Sequence, residues 1–201
     1  MSGEDELLKK EHFDPHTPSS QPNSLPTTHT SRLKKIKLLI LDVDGVLTDG
    51  RIIYGDAGDE LKCFDVQDGF GIYLLSKVGI RTVIITAKKS SVVRRRAKDS
   101  HVAKVYQNAI DKWKVYEKVR RKFRVKDEEV CFIGDDLLDL PVLVRAGFAV
   151  SVPNAVDELR ARSHYITQRK GGRGAVREVV ELILRSQGKY DTLVAHYTNH
   201  T

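Results

Sequence analysis

Cysteine is scarce: Cys63 and Cys131 are the only two among 201 residues. Two thiols build no disulfide framework, which sets aside the small disulfide-stapled folds. Their use suits a reducing compartment, so a cytoplasmic location is expected. Cys131 sits within an apolar run and reads as a small buried hydrophobe. No apolar stretch is long enough to cross a membrane. The acidic start, with no apolar core behind it, is not expected to act as a secretory signal. Internal repeats are absent. Aromatic residues make up 7% of the chain, and none interleave the basic blocks as a single-strand nucleic-acid platform would require.

Acidic charge is in deficit, leaving a formal net charge of +7. The excess gathers in Lys88-Lys89 with Arg94-Arg95-Arg96-Lys98, and in Arg120-Arg121-Lys122-Arg124-Lys126. Both blocks read as solvated helix faces, so a nucleic-acid partner is not expected. An anionic small substrate accounts for positive charge near a site equally well.

Residues 1–33 hold four of the six prolines and His12, His16 and His29, amid Ser and Thr. That composition predicts a disordered leader, and the three histidines lack the spacing of a metal site. From Ile36 onward apolar runs alternate with amphipathic ones, as in a parallel sheet with crossover helices. The expected strands are Ile36–Leu41, Arg81–Ile85, Lys104–Tyr106, Glu129–Ile133 and Phe148–Val150, with a sixth at His164–Ile166. The expected helices are Gly69–Val78, Ser90–Ser100, Ile110–Phe123, Leu138–Ala146, Ala155–Arg162 and Gly174–Gln187, with Gly79, Gly147 and Gly188 at C-terminal caps. The whole is an α/β, Rossmann-like three-layer sandwich with a central parallel sheet, spanning residues 34–190 and followed by a tail, 191–201. Between Arg51 and Asp65 two β-prone runs flank a Gly/Asp turn, which predicts a small hairpin flap. It is too small to close over a substrate as a cap domain would, so the site is expected to be open or covered by another subunit.

The most informative residues are Asp42 and Asp44. They end an apolar strand and precede Gly45, at the edge of a parallel sheet where ligands bind. Side chains at i and i+2 share one side of an extended chain. Two such carboxylates repel unless a cation joins them or one is protonated, and Mg²⁺ suits hard oxygen ligands. Alone, the pattern is also that of a solvated turn. Three later strands, however, deliver polar groups to the same edge: Thr86 after the second, Lys112 near the start of the helix after the third, and Asp135 after Gly134 on the fourth.

Carboxylates, a hydroxyl and a lysine gathered there point to phosphoryl transfer through a carboxylate nucleophile. A metal held by Asp42 and Asp135, with Lys112 nearby, offsets the repulsion between a phosphate dianion and the attacking aspartate. Asp42 would attack phosphorus. Asp44 would protonate the leaving alkoxide and then deprotonate the attacking water.

Asp-x-Asp at 42–44, Thr86, Lys112 and Gly-Asp-x-x-x-Asp at 134–139 resemble the four motifs of the haloacid dehalogenase superfamily. Asp42–Gly50, Asp68–Ile72, Gly134–Asp139 and Gly171–Glu178 sharpen the likeness to its capless sugar-acid phosphatases, which serve lipopolysaccharide carbohydrate synthesis. The resemblance implies a cytoplasmic, Mg²⁺-dependent phosphatase of eight- or nine-carbon sugar acid phosphates, working as a homotetramer whose hairpins form a central barrel. It implies a metal held by the Asp42 side chain, the Asp44 backbone carbonyl and Asp135, with Asp136 and Asp139 behind them. It also places Thr48, Gln67, Asp68, Lys88 and Arg173 beside the substrate.

Two departures fall there: Thr86-Ala87-Lys88 replaces the usual Thr-Gly-Arg, and Gln67 stands where a basic residue is common. Lysine keeps the charge but loses the bidentate fork. Two other readings are a non-catalytic sugar-phosphate sensor, which needs no nucleophile or acid/base pair, and a nucleic-acid end phosphatase, whose affinity would fall steeply with salt.

Overall fold

The computed structural model describes residues 26–198. Six parallel strands form the sheet: β1 (Leu38–Leu41), β4 (Arg81–Ile85), β5 (Lys104–Tyr106), β6 (Val130–Gly134), β7 (Phe148–Ser151) and β8 (Tyr165–Ile166). Between β1 and β4 the chain inserts a two-stranded antiparallel hairpin, β2 (Ile53–Tyr54) and β3 (Glu60–Leu61). The spatial order is β5-β4-β1-β6-β7-β8. β1 pairs on one side with β4, in the register Leu41 to Ile84, and on the other with β6, in the register Leu41 to Ile133. All four residues of β1 are fully buried, which explains why the strand is a continuous apolar run.

The helices fall into two packed groups. In one, α1 (Thr27–Leu33) and α2 (Val66–Lys77) pack against α7 (Ala175–Ser186), which also meets α8 (Tyr190–Thr198). In the other, α4 (Lys112–Phe123) packs against α5 (Leu140–Leu143), and α5 against α6 (Asp157–Arg160). The helix α3 (Ser91–Asp99) lies against β5. Val176, Val179, Val180, Ile183 and Leu184 form the buried stripe of α7, at helical spacing. Among the described residues no helix is long and apolar enough to cross a membrane.

Several boundaries differ from the sequence reading. The segment expected to be a structureless leader ends in α1, because Leu33 is fully buried in the core and Arg32 donates to the Gly147 carbonyl (2.9 Å). The rest of that segment, residues 1–25, lies outside the described residues, as do 199–201. Helix α2 starts three residues early, since Asp65 caps it by accepting from the N–H of Gln67 (2.6 Å) and Asp68 (3.3 Å). The helix expected over 138–146 is a 3₁₀ turn, Leu137–Asp139, followed by the short α5. Asp139 turns its side chain back to the preceding loop instead of continuing the helix. Gly79 and Gly188 do adopt left-handed caps, at φ +80° and +65°. Gly147 does not: a Cβ there would lie 2.5 Å from the Glu128 backbone, so close packing requires that glycine.

Candidate active site

The strand order reverses at β1, where the chain runs outward through β4 and β5 and then returns to β6. In open parallel sheets that switch point, beyond the C-terminal strand ends, is where ligands bind. Asp42 extends β1 by one ladder bond, its N–H donating to the Ile133 carbonyl (3.1 Å). The chain then turns sharply, with the N–H groups of Val46, Leu47 and Thr48 all converging on the Val43 carbonyl. Gly45, at φ +88°, is essential to this turn, because a Cβ there would overlap the Asp135 carboxylate.

The turn is held from inside and outside. Thr48 Oγ1 accepts from the N–H of Gly45 (3.3 Å) and Gly50 (3.2 Å). Asn154 Nδ2 donates to the Gly45 carbonyl (2.9 Å), while its Oδ1 accepts from the Gly171 N–H (2.9 Å). The Gly172 N–H donates to the Val46 carbonyl (2.9 Å). Gly171 and Gly172 lie so close to the backbone of residues 45–49 that no side chain would fit.

Four of the expected residues converge on Asp42. Lys112, the first residue of α4, is almost fully buried, with Nζ 3.0 Å from Asp42 Oδ1 and 2.5 Å from Asp139 Oδ1. The other oxygen of Asp139 accepts from the N–H of Asp135 (3.0 Å) and Asp136 (3.3 Å), fixing the loop after β6. Thr86 is buried at the end of β4, its N–H donating to the Tyr106 carbonyl (2.9 Å). Asp42, Thr86, Lys112 and Asp135 border a cavity of about 240 Å³ whose walls also include Asp44, Ile52 and Lys88, with Asp139 buried behind it. Two larger hollows, of about 650 and 640 Å³, share no residue with it and hold no comparable cluster of carboxylates. Chemistry, not size, marks the site.

Burial pushes the Asp42 carboxyl up to about 7; the Asp139 charge adds to this and Lys112 opposes it. Asp135 is pushed up to about 8, by burial and then by Asp42 and Asp139. Burial lowers Lys112, but its two carboxylate partners outweigh that and hold it above the ordinary lysine value. One ammonium thus faces three carboxylates, which leaves an anionic excess. The carboxylate oxygens of Asp42, Asp135 and Asp139 lie within 4.8 Å of one another, and Asp135 Oδ1 is buried with no partner. An orphaned oxygen in an all-oxygen, anionic cluster fits a hard divalent cation. Asp42 and Asp135 would hold it, because Asp139 is already engaged by Lys112 and two backbone N–H groups.

Four of the remaining expected residues fall elsewhere. Thr48 and Asp68, read as substrate contacts, are buried and face inward: Thr48 braces the turn, and Asp68 accepts from the N–H of Gly174 (3.3 Å) and Arg177 (2.8 Å), tying α2 to the start of α7. Gln67 is exposed and accepts from Arg169 (2.9 Å), and Arg173 is exposed beyond the cavity wall. Asp136 does border the cavity, where it is exposed and caps Leu137 (2.7 Å).

Two residues were missed. Asn154 follows β7 at the same sheet edge, which is the one signal that places it. Lys62 follows β3 and buries its whole side chain, with Nζ hydrogen-bonded to Asp44 Oδ1 and 2.8 Å from Glu60 Oε1. The alternation of Glu60 and Lys62 along the hairpin, which puts both on one side, was the available clue.

Residues 81–179 match the model of the haloacid dehalogenase-like hydrolases. The chain belongs to that family, and within it is a phosphatase, as its relatives establish. It is 43% identical over 160 residues to the 3-deoxy-D-manno-octulosonate 8-phosphate phosphatase KdsC of Yersinia pestis, covering 80% of this chain and 86% of the relative. The KdsC enzyme of Escherichia coli K12 is 42% identical over 161 residues, with the same shares covered. Among solved structures, the Moraxella catarrhalis 3-deoxy-D-manno-octulosonate 8-phosphate phosphatase, in complex with magnesium, phosphate and a KDO molecule, superposes with a TM-score of 0.82 at 44% identity, over 84% of this chain and 97% of that one. The cobalt-bound Haemophilus influenzae phosphatase superposes with a TM-score of 0.76 at 34% identity, over 79% and 92%.

Proposed function

We propose that this phosphatase hydrolyses 3-deoxy-D-manno-octulosonate 8-phosphate with Mg²⁺, in the cytoplasm, through an aspartyl-phosphate at Asp42. Asp42 attacks phosphorus as the bond to the sugar oxygen breaks, and Asp44 gives that oxygen its proton. Water then attacks the acyl phosphate, losing a proton to Asp44, and releases inorganic phosphate with Asp42 restored. Lys112 holds Asp42 in place and, with Thr86, meets the phosphoryl oxygens. When bound, Mg²⁺ supplies the charge that lets a dianion approach a carboxylate. Lys88, at the cavity wall, is the cation best placed for the sugar's carboxylate. The observation that supports this reading most is the Asp42–Lys112–Asp139–Asp135 cluster with its orphaned Oδ1 on Asp135.

The assembly we propose is a homotetramer joined through the hairpins, which expose Ile53, Tyr54 and Leu61 in the single chain. Solution mass should give four chains, and Tyr54→Lys should lower it; a wild-type monomer would overturn the assembly.

Phosphate release with Mg²⁺ and with EDTA, across sugar acid phosphates, simple sugar phosphates and 3′-phosphorylated oligonucleotides, tests the function. Strong Mg²⁺-dependent turnover of the octulosonate phosphate is expected, and Asp42→Asn should abolish it. Preference for an oligonucleotide, or full activity in Asp42→Asn, would refute the assignment.

A further inference from the structure

Asp44 is held from an unexpected direction. Its carboxylate has one side-chain partner among the described residues, Lys62, which reaches it from the strand end of the hairpin rather than from the sheet. The Lys62 side chain is 0% exposed, whereas those of Asp44 and Glu60 keep 23% and 22%. An ammonium withdrawn from water needs compensating charge. Lys62 has it on both sides, in a hydrogen bond to Asp44 Oδ1 and an ion pair to Glu60 at 2.8 Å. Glu60 thus anchors the lysine, and the lysine anchors Asp44.

This arrangement makes the two oxygens of Asp44 inequivalent. With Oδ1 occupied by an ammonium, Oδ2 is the oxygen left to face the cavity that Asp44 borders. It also explains why Asp44, though two residues from Asp42, lies outside the cluster of Asp42, Asp135 and Asp139. Lys62 itself does not line the cavity, so it acts through Asp44 and not on the substrate.

We infer that Lys62, anchored by Glu60, is a positioning residue for the phosphatase reaction: it pins Asp44 Oδ1 so that Oδ2 meets the leaving oxygen in the first half-reaction and the attacking water in the second. The inference rests on the phosphatase reading above. It ties the seating of the hairpin to proton transfer, because the hairpin carries both Lys62 and Glu60.

The test exploits leaving-group chemistry. A sugar alkoxide needs a proton to depart, whereas p-nitrophenolate does not. In Lys62→Met, kcat for the octulosonate phosphate should fall about a hundredfold, the scale of general acid–base catalysis, with KM changed less than about twofold. Under single-turnover conditions with excess enzyme, release of p-nitrophenolate from its phosphate should stay within about threefold of wild type. Release of phosphate in the second half-reaction should be slow, because water activation is impaired. Lys62→Arg should restore at least about a tenth of the lost rate.

Equal losses for sugar alkoxide and p-nitrophenolate in the first half-reaction would mean a damaged scaffold and overturn the inference, as would unchanged sugar phosphate turnover. If Lys62→Met fails to fold, Glu60→Gln must show the same pattern at smaller amplitude, and an even loss there is equally fatal. Failure of wild type to release phosphate from either substrate would instead defeat the phosphatase reading itself.

Discussion

Asp139→Ala tests whether the site's scaffold is electrostatic. Asp139 is fully buried and makes three contacts: the Lys112 ammonium at 2.5 Å, and the N–H groups of Asp135 at 3.0 Å and Asp136 at 3.3 Å. Truncation strands two backbone donors and half of the pairing around a buried cation. Breaking a buried pair from one side costs about 3–5 kcal/mol, and each bond to a charged group contributes about 1.5–3 kcal/mol. Two effects reduce that sum. Lys112 keeps Asp42 at 3.0 Å, and removing one of three clustered carboxylates relieves the repulsion on Asp42 and Asp135. A net loss of about 3 kcal/mol follows, and at about 2–4 °C per kcal/mol in a domain of this size Tm should fall by about 6–12 °C.

Urea unfolding in EDTA measures this without any contribution from bound metal. Asp139→Asn should lose less, since its oxygen can accept one bond, but its amide must then turn a donor toward Lys112 or toward the backbone N–H pair. A loss below about 1 kcal/mol for Asp139→Ala would show that Lys112 and the loop after β6 are held by packing, and would refute this reasoning.

Three further outcomes are expected. Asp68, buried between α2 and α7, is pushed up to about 6 chiefly by burial, with the Asp65 charge adding to this and the Arg177 and Gly174 N–H groups opposing it. Its folded value lies above its unfolded one, so the folded state binds the extra proton between about pH 4 and 6 and loses stability as pH rises through that window. Relative to Asp68→Asn, wild type in EDTA should therefore lose about 2–3 kcal/mol between pH 4 and 7; a flat difference refutes the burial argument. Mg²⁺ should raise Tm in wild type, and Asp135→Asn should remove most of that rise while keeping the metal-free Tm or raising it. Gly45→Ala, which forces a side chain into the Asp135 carboxylate at φ +88°, should abolish both the Mg²⁺ shift and turnover, checked by scanning fluorimetry and phosphate release.

The sheet was legible because its four central strands, β1, β4, β6 and β7, are buried along nearly their whole length. Arg81–Ile85 and Lys104–Tyr106 have the bounds expected from the sequence, each opening on one basic residue, and β1 announces itself as unbroken Leu and Ile. Asp42, Asp44 and Asp135 were legible for a related reason, since each follows a buried strand at the ligand-binding edge. Lys112 was one lysine among many, and only its order in the motif set distinguished it. What could not be read was anything decided by contacts distant in sequence. Asn154 meets Gly45 across the end of β6, Asp68 finds its partners at the start of α7, and Lys62 reaches Asp44 by way of a hairpin. Helix α5 was overestimated because the apolar pattern of Leu137, Leu138, Leu140 and Leu143 gives no hint that Asp139 bends back to hold the loop.

The strand order also sets when the site can exist during synthesis. The strand bearing Asp42 is made first, but its neighbour β6, which brings Asp135 and Asp139, arrives only after β4 and β5 have been laid down on its other side. Asn154 and the glycines at 171 and 172, which clamp the Asp42 turn, emerge later still. A nascent chain still on the ribosome therefore carries Asp42 long before it carries the groups that surround it, and the cluster is complete only when the last third of the chain docks.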